Sequence, residues 1–113
     1  MPKFQYTGTV LGYNQRYAFR TAKKLSAEYE EFLSSVGWEF RRQNVGFKPF
    51  AGKVEVSIFF NTAHDTDNIS KAIFDGLEDI LFLNDRQVDD LRVKRVKDIP
   101  HGFVLYAQEI PPR

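Results

Sequence analysis

Hydrophobic and polar positions repeat along this chain with two different periods, and the switches between them mark its elements. Phe4, Tyr6, Thr9 and Leu11 form a β-prone opening run that stops at Gly12, and Asn14-Gln15-Arg16 reads as a loop. Leu25, Tyr29, Phe32, Leu33, Val36 and Phe40 then recur on one stripe, predicting an amphipathic helix from about Lys23 to about Arg42. Phe40 stays in phase with that stripe, so the helix should run past Gly37. Trp38 lies off the stripe, a position that suits either partial burial against a loop or contact with a second subunit. Val54, Val56, Ile58 and Phe60 alternate with other residues, the pattern of a half-buried strand. A second helix follows from about Asp67 to Glu78. Leu81-Phe82-Leu83 then leads to a polar turn at Asn84-Asp85-Arg86. Val93 and Val96 predict a strand from about Leu91 to Lys97. Pro100-His101-Gly102 makes a turn, and Phe103 to Glu109 returns as the last strand, expected to pair with its predecessor as a hairpin. The order β-α-β-α-β-β predicts a single compact α/β (α+β) domain over residues 1–113, with a mixed sheet and the helices packed on it.

The second helix carries the chemistry. With Asp67 set at zero and 3.6 residues per turn, Asn68 falls near 100°, Lys71 near 40° and Asp75 near 80°. Ile69, Ala72, Ile73, Leu77 and Ile80 fall between roughly 140° and 280°, so one face is core and the other is an acidic patch holding one lysine. Asp65 lies just ahead of this face and Asn84-Asp85 just beyond it. Carboxylates gathered this closely repel one another unless a cation sits among them, and a divalent metal is the natural occupant. The same residues have an ordinary reading. Asp, Thr and Asn ahead of a helix are favoured as caps and dipole partners. Asp67 with Lys71, and Lys71 with Asp75, are spaced as pairs that decorate a solvated helix face.

Composition narrows the class. The chain has 113 residues, 42% of them hydrophobic and eleven of them Phe, enough for one packed core. It has no cysteine, which excludes disulfides and thiolate metal sites. His64 and His101 are far apart and match no zinc spacing. No stretch approaches a membrane-spanning length and the N-terminus has no apolar signal core, so the expectation is a soluble, cytoplasmic protein with no membrane contact.

The net charge of +1 hides an uneven distribution. Arg16, Arg20, Lys23 and Lys24 cluster early, Arg92, Lys94, Arg95 and Lys97 cluster late, and acid concentrates between Asp65 and Asp90. Basic groups flanking an acidic centre that holds a metal can grip a polyanion. Each cluster alone is also what an ordinary solvated surface looks like.

The run Asp65-x-Asp67-Asn68-x-x-Lys71-x-x-x-Asp75-x-Leu77, followed by Asn84-Asp85-x-Gln87-Val88, resembles the signature of RusA-type Holliday junction resolvases. These are small endodeoxyribonucleases common in phages and prophages. As motif the resemblance covers about a quarter of the chain. Element order and length fit elsewhere, and the N-terminal third matches loosely. Asn84 departs from the pattern, because some members carry a second Asp there. The segment from Asp75 to Asp85 also looks slightly shorter than in the family.

The resemblance implies that Asp65, Asp67 and Asp85 are the essential carboxylates and metal ligands, and that Lys71 is the catalytic lysine. It implies supporting roles for Asn68, Asp75 and Asn84 around the metal, which would be Mg2+ with Mn2+ as a substitute. No organic cofactor is implied. The substrate would be branched DNA, a four-way junction, cut by a homodimer that offers one site per strand. Arg16, Arg20, Lys23, Lys24 and Arg86 are the favoured DNA contacts, with Arg92 and Lys94 behind them. Two other functions suit the same residues: a DNA-binding relative without catalysis, and a metal-dependent hydrolase of a smaller phosphate ester.

Overall fold

The computed structural model describes residues 2–16 and 26–111. Its strands are β1 (Lys3–Thr7), β2 (Val54–Asn61), β3 (Val88–Arg95) and β4 (Gly102–Glu109), and its helices are α1 (Ala27–Gln43) and α2 (Thr66–Leu77). Two short 3-10 turns, Tyr13–Gln15 and Asp85–Gln87, precede α1 and β3 respectively. The order is the one the periodicity predicts, an α+β domain with two helices on a mixed four-stranded sheet. Among the described residues, no helix is long and apolar enough to cross a membrane.

Alternation fixes which side of the sheet is covered. Val54, Val56, Ile58 and Phe60 are buried along β2, while Glu55, Ser57, Phe59 and Asn61 stay half-buried on the other face. Helix α1 turns Tyr29, Phe32, Val36 and Phe40 inward and runs unbroken through Gly37. Its close approach to α2 explains that glycine. A Cβ on Gly37 would stand 2.7 Å from Ile80 Cδ1, and one on Gly76 would stand 3.0 Å from the Val36 side chain. Leucine-sized residues at either position would force the helices apart. Ser26 starts α1 by accepting a hydrogen bond from the Tyr29 N–H at 3.1 Å. The predicted start near Lys23 lies outside the described residues.

One pairing differs from the sequence expectation. The strand order is β1-β4-β2-β3, with β4 antiparallel to both β1 and β2, and β3 parallel to β2 at the edge. So β3 and β4 do not form a hairpin, and β2 lies between them. The side chains explain the exchange. Phe103, Val104 and Leu105 are all buried, so β4 suits the interior of the sheet, with a neighbour on each side. Asp89, Asp90, Arg92, Lys94 and Arg95 suit a solvated edge instead. Strand β3 also begins at Val88, three residues earlier than predicted, through a register shift opposite Val54 and Glu55. Helix α2 ends at Leu77, so Ile80 packs on the core from the loop beyond it.

Candidate functional site

Helix α2 presents its polar face as the angular positions require. Asp67, Lys71 and Asp75 are exposed and Asn68 is half-buried, while Ile69, Ala72, Ile73 and Leu77 are fully buried. Asp65 is the N-cap of this helix and accepts a hydrogen bond from the Asn68 N–H at 3.3 Å. The capping role that the sequence allowed is therefore real for Asp65. The loop that delivers it from β2 is braced from the end of β3. Arg95 donates through Nε to the Thr62 carbonyl at 3.3 Å and through its terminal nitrogen to the His64 carbonyl, with its guanidinium 5.1 Å from the Phe60 ring centre. This arginine of the late basic cluster is thus committed to the protein itself.

The first 3-10 turn lies across the same face of α2. Asn14 donates its backbone N–H to Asn68 Oδ1 at 2.7 Å. His64 Nε2 and the Val10 carbonyl are 2.8 Å apart, and Asn68 Nδ2 lies 3.5 Å from His64 Nδ1. One tautomer satisfies both contacts: Nε2–H donates to Val10, and Nδ1 accepts from Asn68. Gly12 is buried between them, and a Cβ there would strike Asn68 and stand 2.9 Å from His64 Nδ1. Only a residue without a side chain lets the turn dock this closely.

Docking brings an aromatic ring and a second cation to the lysine. Arg16 stacks on the Tyr13 ring, 3.7 Å from its centre, and also donates to the Tyr13 carbonyl at 3.0 Å. Lys71 Nζ stands 5.6 Å from the same ring centre. Both cations face a ring quadrupole that is negative over its face. Deeper along α2, the buried Tyr29 donates its hydroxyl to Asp75 Oδ2 at 3.0 Å. Partial burial holds the Asp75 carboxyl above its ordinary range. The Tyr29 hydrogen bond and the Arg16 charge oppose that rise, and the Asp85 charge adds to it. Asp75 and Asp85 therefore sense one another, although they come from different elements.

Asp85 opens the second 3-10 turn, which Asn84 caps by accepting from the Arg86 N–H at 2.9 Å. The Asn84 side chain is thus engaged in holding the turn. Asp85 and Arg86 are both exposed there. The remaining predicted basic groups divide. Arg20, Lys23 and Lys24 lie outside the described residues. Arg92 and Lys94 are paired with Ser57 and Phe59, on the sheet face away from the helices, and are not brought to the α2 face.

Asp65, Asp67 and Asp85 are hard oxygen donors at the rigid starts of α2 and the second turn, the ligand chemistry that Mg2+ accepts. Among the described residues, no group of three or more acidic or histidine side chains stands close enough together to hold a metal ion. Mg2+ does not require such a group, because it keeps several waters and binds through one or two carboxylates together with substrate phosphate. Asp65, Asp67 and Asp85 are exposed carboxylates, so the chemistry of the donor set suits such an ion.

Gly12, Tyr13 and His64 border the site although periodicity did not select them, and Tyr29, selected only as a core position of α1, reaches it through Asp75. The dipeptide Gly12-Tyr13 ahead of a basic cluster is the one local signal for the docked turn. No curated protein matches the chain. The sequence profile described as Endodeoxyribonuclease RusA matches residues 9–104, a span that takes in the docked turn, both helices and the Asp85 turn. The chain accordingly belongs to the RusA endodeoxyribonuclease family.

Proposed function

We propose that this chain is a Mg2+-dependent, structure-selective endodeoxyribonuclease that resolves four-way DNA junctions by paired phosphodiester hydrolysis. The observation that carries this reading is the polar face of α2. It offers Asp67, Lys71 and Asp75 to solvent beside the Asp85 turn, in a chain whose family is a DNA endonuclease. Asp65, Asp67 and Asp85 would hold the metal, with Asn68, Asp75 and Asn84 supporting them. When bound, Mg2+ supplies charge neutralisation at the phosphate and a more acidic water, and Mn2+ would serve in its place.

The chain's own groups do the rest. Hydrolysis adds water at phosphorus and breaks one P–O ester bond, so negative charge grows on the phosphate oxygens. Lys71, one turn along from Asp67, places an ammonium where that charge develops. The Tyr13 ring and Arg16 border the lysine and limit where it swings. Arg16, Arg20, Lys23, Lys24 and Arg86 would bind backbone phosphates. The whole chain would act as one endonuclease domain, inside the cell where its DNA lies. A junction has approximate two-fold symmetry, so a C2 homodimer with one site per subunit matches two opposed nicks.

The test is cleavage of a labelled four-way junction beside its linear duplex, with and without Mg2+. Metal-dependent nicking of the junction in preference to the duplex is the expected result. Junction binding without cleavage would identify a DNA-binding relative. Turnover of nucleotides with no junction preference would identify a small phosphate-ester hydrolase.

A further inference from the structure

One side chain holds the turn that carries Asp85. Gln87 Oε1 accepts from the backbone N–H groups of Leu83 at 2.9 Å and Asn84 at 3.0 Å. Its Nε2 donates to the carbonyls of Phe50 at 2.7 Å and Gly52 at 2.9 Å. A carboxamide offers two acceptor lone pairs and two N–H donors, so Gln87 spends all four. Its partners lie on two segments far apart in sequence, the lead-in to β2 and the start of the turn. Two further bonds run alongside: Phe50 N–H to the Leu81 carbonyl at 2.9 Å, and Lys53 Nζ to the Arg86 carbonyl at 3.3 Å. The lead-in to β2 is therefore a backing strip for the turn, and Gln87 is the tie with the most bonds. Asp85 is exposed two residues away, on backbone that these bonds fix from behind.

We propose that Gln87 is a positioning residue for the reaction: by pinning Leu83 and Asn84 to Phe50 and Gly52, it fixes where the Asp85 carboxylate stands relative to α2. This rests on the assignment of Asp85 as a metal-holding group. The four bonding positions of Gln87 all go to backbone groups, so it would act through Asp85. A glutamate at this position keeps the acceptors, loses both donors and sets a negative charge against two carbonyls.

The experiment compares wild type, Gln87→Ala, Gln87→Glu and Asp85→Asn, each without DNA. Hydrogen exchange reads the turn, and Mn2+ titration followed by electron paramagnetic resonance reads the site. In Gln87→Ala the amides of Leu83 and Asn84 should exchange at least tenfold faster, with little change elsewhere. Mn2+ affinity should fall several-fold in the same variant. Gln87→Glu should keep those two amides slow, yet bind Mn2+ less tightly than wild type. Unchanged exchange in Gln87→Ala would overturn the inference. So would unchanged Mn2+ affinity in Gln87→Ala when Asp85→Asn is impaired. Asp85→Asn that binds Mn2+ as wild type does would overturn the assignment of Asp85, and this inference with it.

Discussion

Tyr29 donates its hydroxyl to Asp75 at 3.0 Å, joining the buried stripe of α1 to the polar face of α2. Tyr29→Phe should lower stability by about 1.5–3 kcal/mol, the usual range for a hydrogen bond to a charged partner, read as a shift in the urea midpoint. The phenol also has a pH signature. Burial first, and then the Asp75 charge, raise its pKa well above the ordinary tyrosine value. The folded state thus keeps a proton that an unfolded chain releases near pH 10. The contribution is complete below about pH 10 and is lost as pH rises beyond it. Burial raises Tyr6 as well, so titration at 295 nm should show a late step that accompanies unfolding in alkali and that is smaller, by the Tyr29 share, in Tyr29→Phe.

Asp85→Asn should abolish junction cleavage while leaving junction binding within a few-fold, because the loss falls on the metal and not on the basic surface. Circular dichroism should report a folded protein, since the turn is capped by Asn84 and not by Asp85. Cleavage at the wild-type rate would remove Asp85 from the site.

Lys71→Ala should slow cleavage at saturating DNA by about two orders of magnitude, matching roughly 3 kcal/mol of lost charge stabilisation. Arg20→Ala and Lys24→Ala should instead weaken binding and flatten its salt dependence. A Lys71→Ala variant that only bound DNA more weakly would place Lys71 among the phosphate contacts.

Gly12→Ala tests the docked turn. The new methyl group runs into Asn68 and His64, so the turn carrying Tyr13 and Arg16 must lift from α2. A loss of about 1–3 kcal/mol is expected, the range for an overpacked contact. Cleavage should fall more than the melting temperature alone accounts for. An unchanged cleavage rate would make the turn irrelevant to the reaction.

Sedimentation at micromolar concentration should give a species of about twice 13.2 kDa. Trp38, 62% exposed on α1, is the first candidate for the shared surface, and its emission should shift to the blue on association. Phe59 is a weaker candidate because it already packs against Tyr106 at 6.2 Å. A monomer that still cut both strands of a junction together would rule out the paired-site mechanism.

The legible parts of this structure are those in which each residue's place depends on its near neighbours in sequence. The split of α2 into Ile69, Ala72, Ile73 and Leu77 against Asp67, Lys71 and Asp75 follows from helical period alone. So does the passage of α1 through Gly37, because Phe40 kept phase. The place of β4 depended on which strands could cover Phe103, Val104 and Leu105, a comparison between distant segments that local alternation does not make. The docking of Asn14 on Asn68 crosses 54 residues, and the bond from Gln87 to Phe50 crosses 37. Neither leaves a periodic trace. The early start of β3 follows a register shift, which breaks the alternation used to find strands.

The position of β4 has a consequence for the birth of the protein. Strands β1 and β2 are not neighbours; each is paired to β4, which is made after both of them. A nascent chain that has emerged only through β3 can join β2 to β3, but β1 has no partner and the Phe4 ring no Phe103 beside it. Completion of the sheet therefore waits on synthesis of residues 102–109. Chains stalled before Gly102 should be cut readily by protease, and those released after Glu109 should resist it.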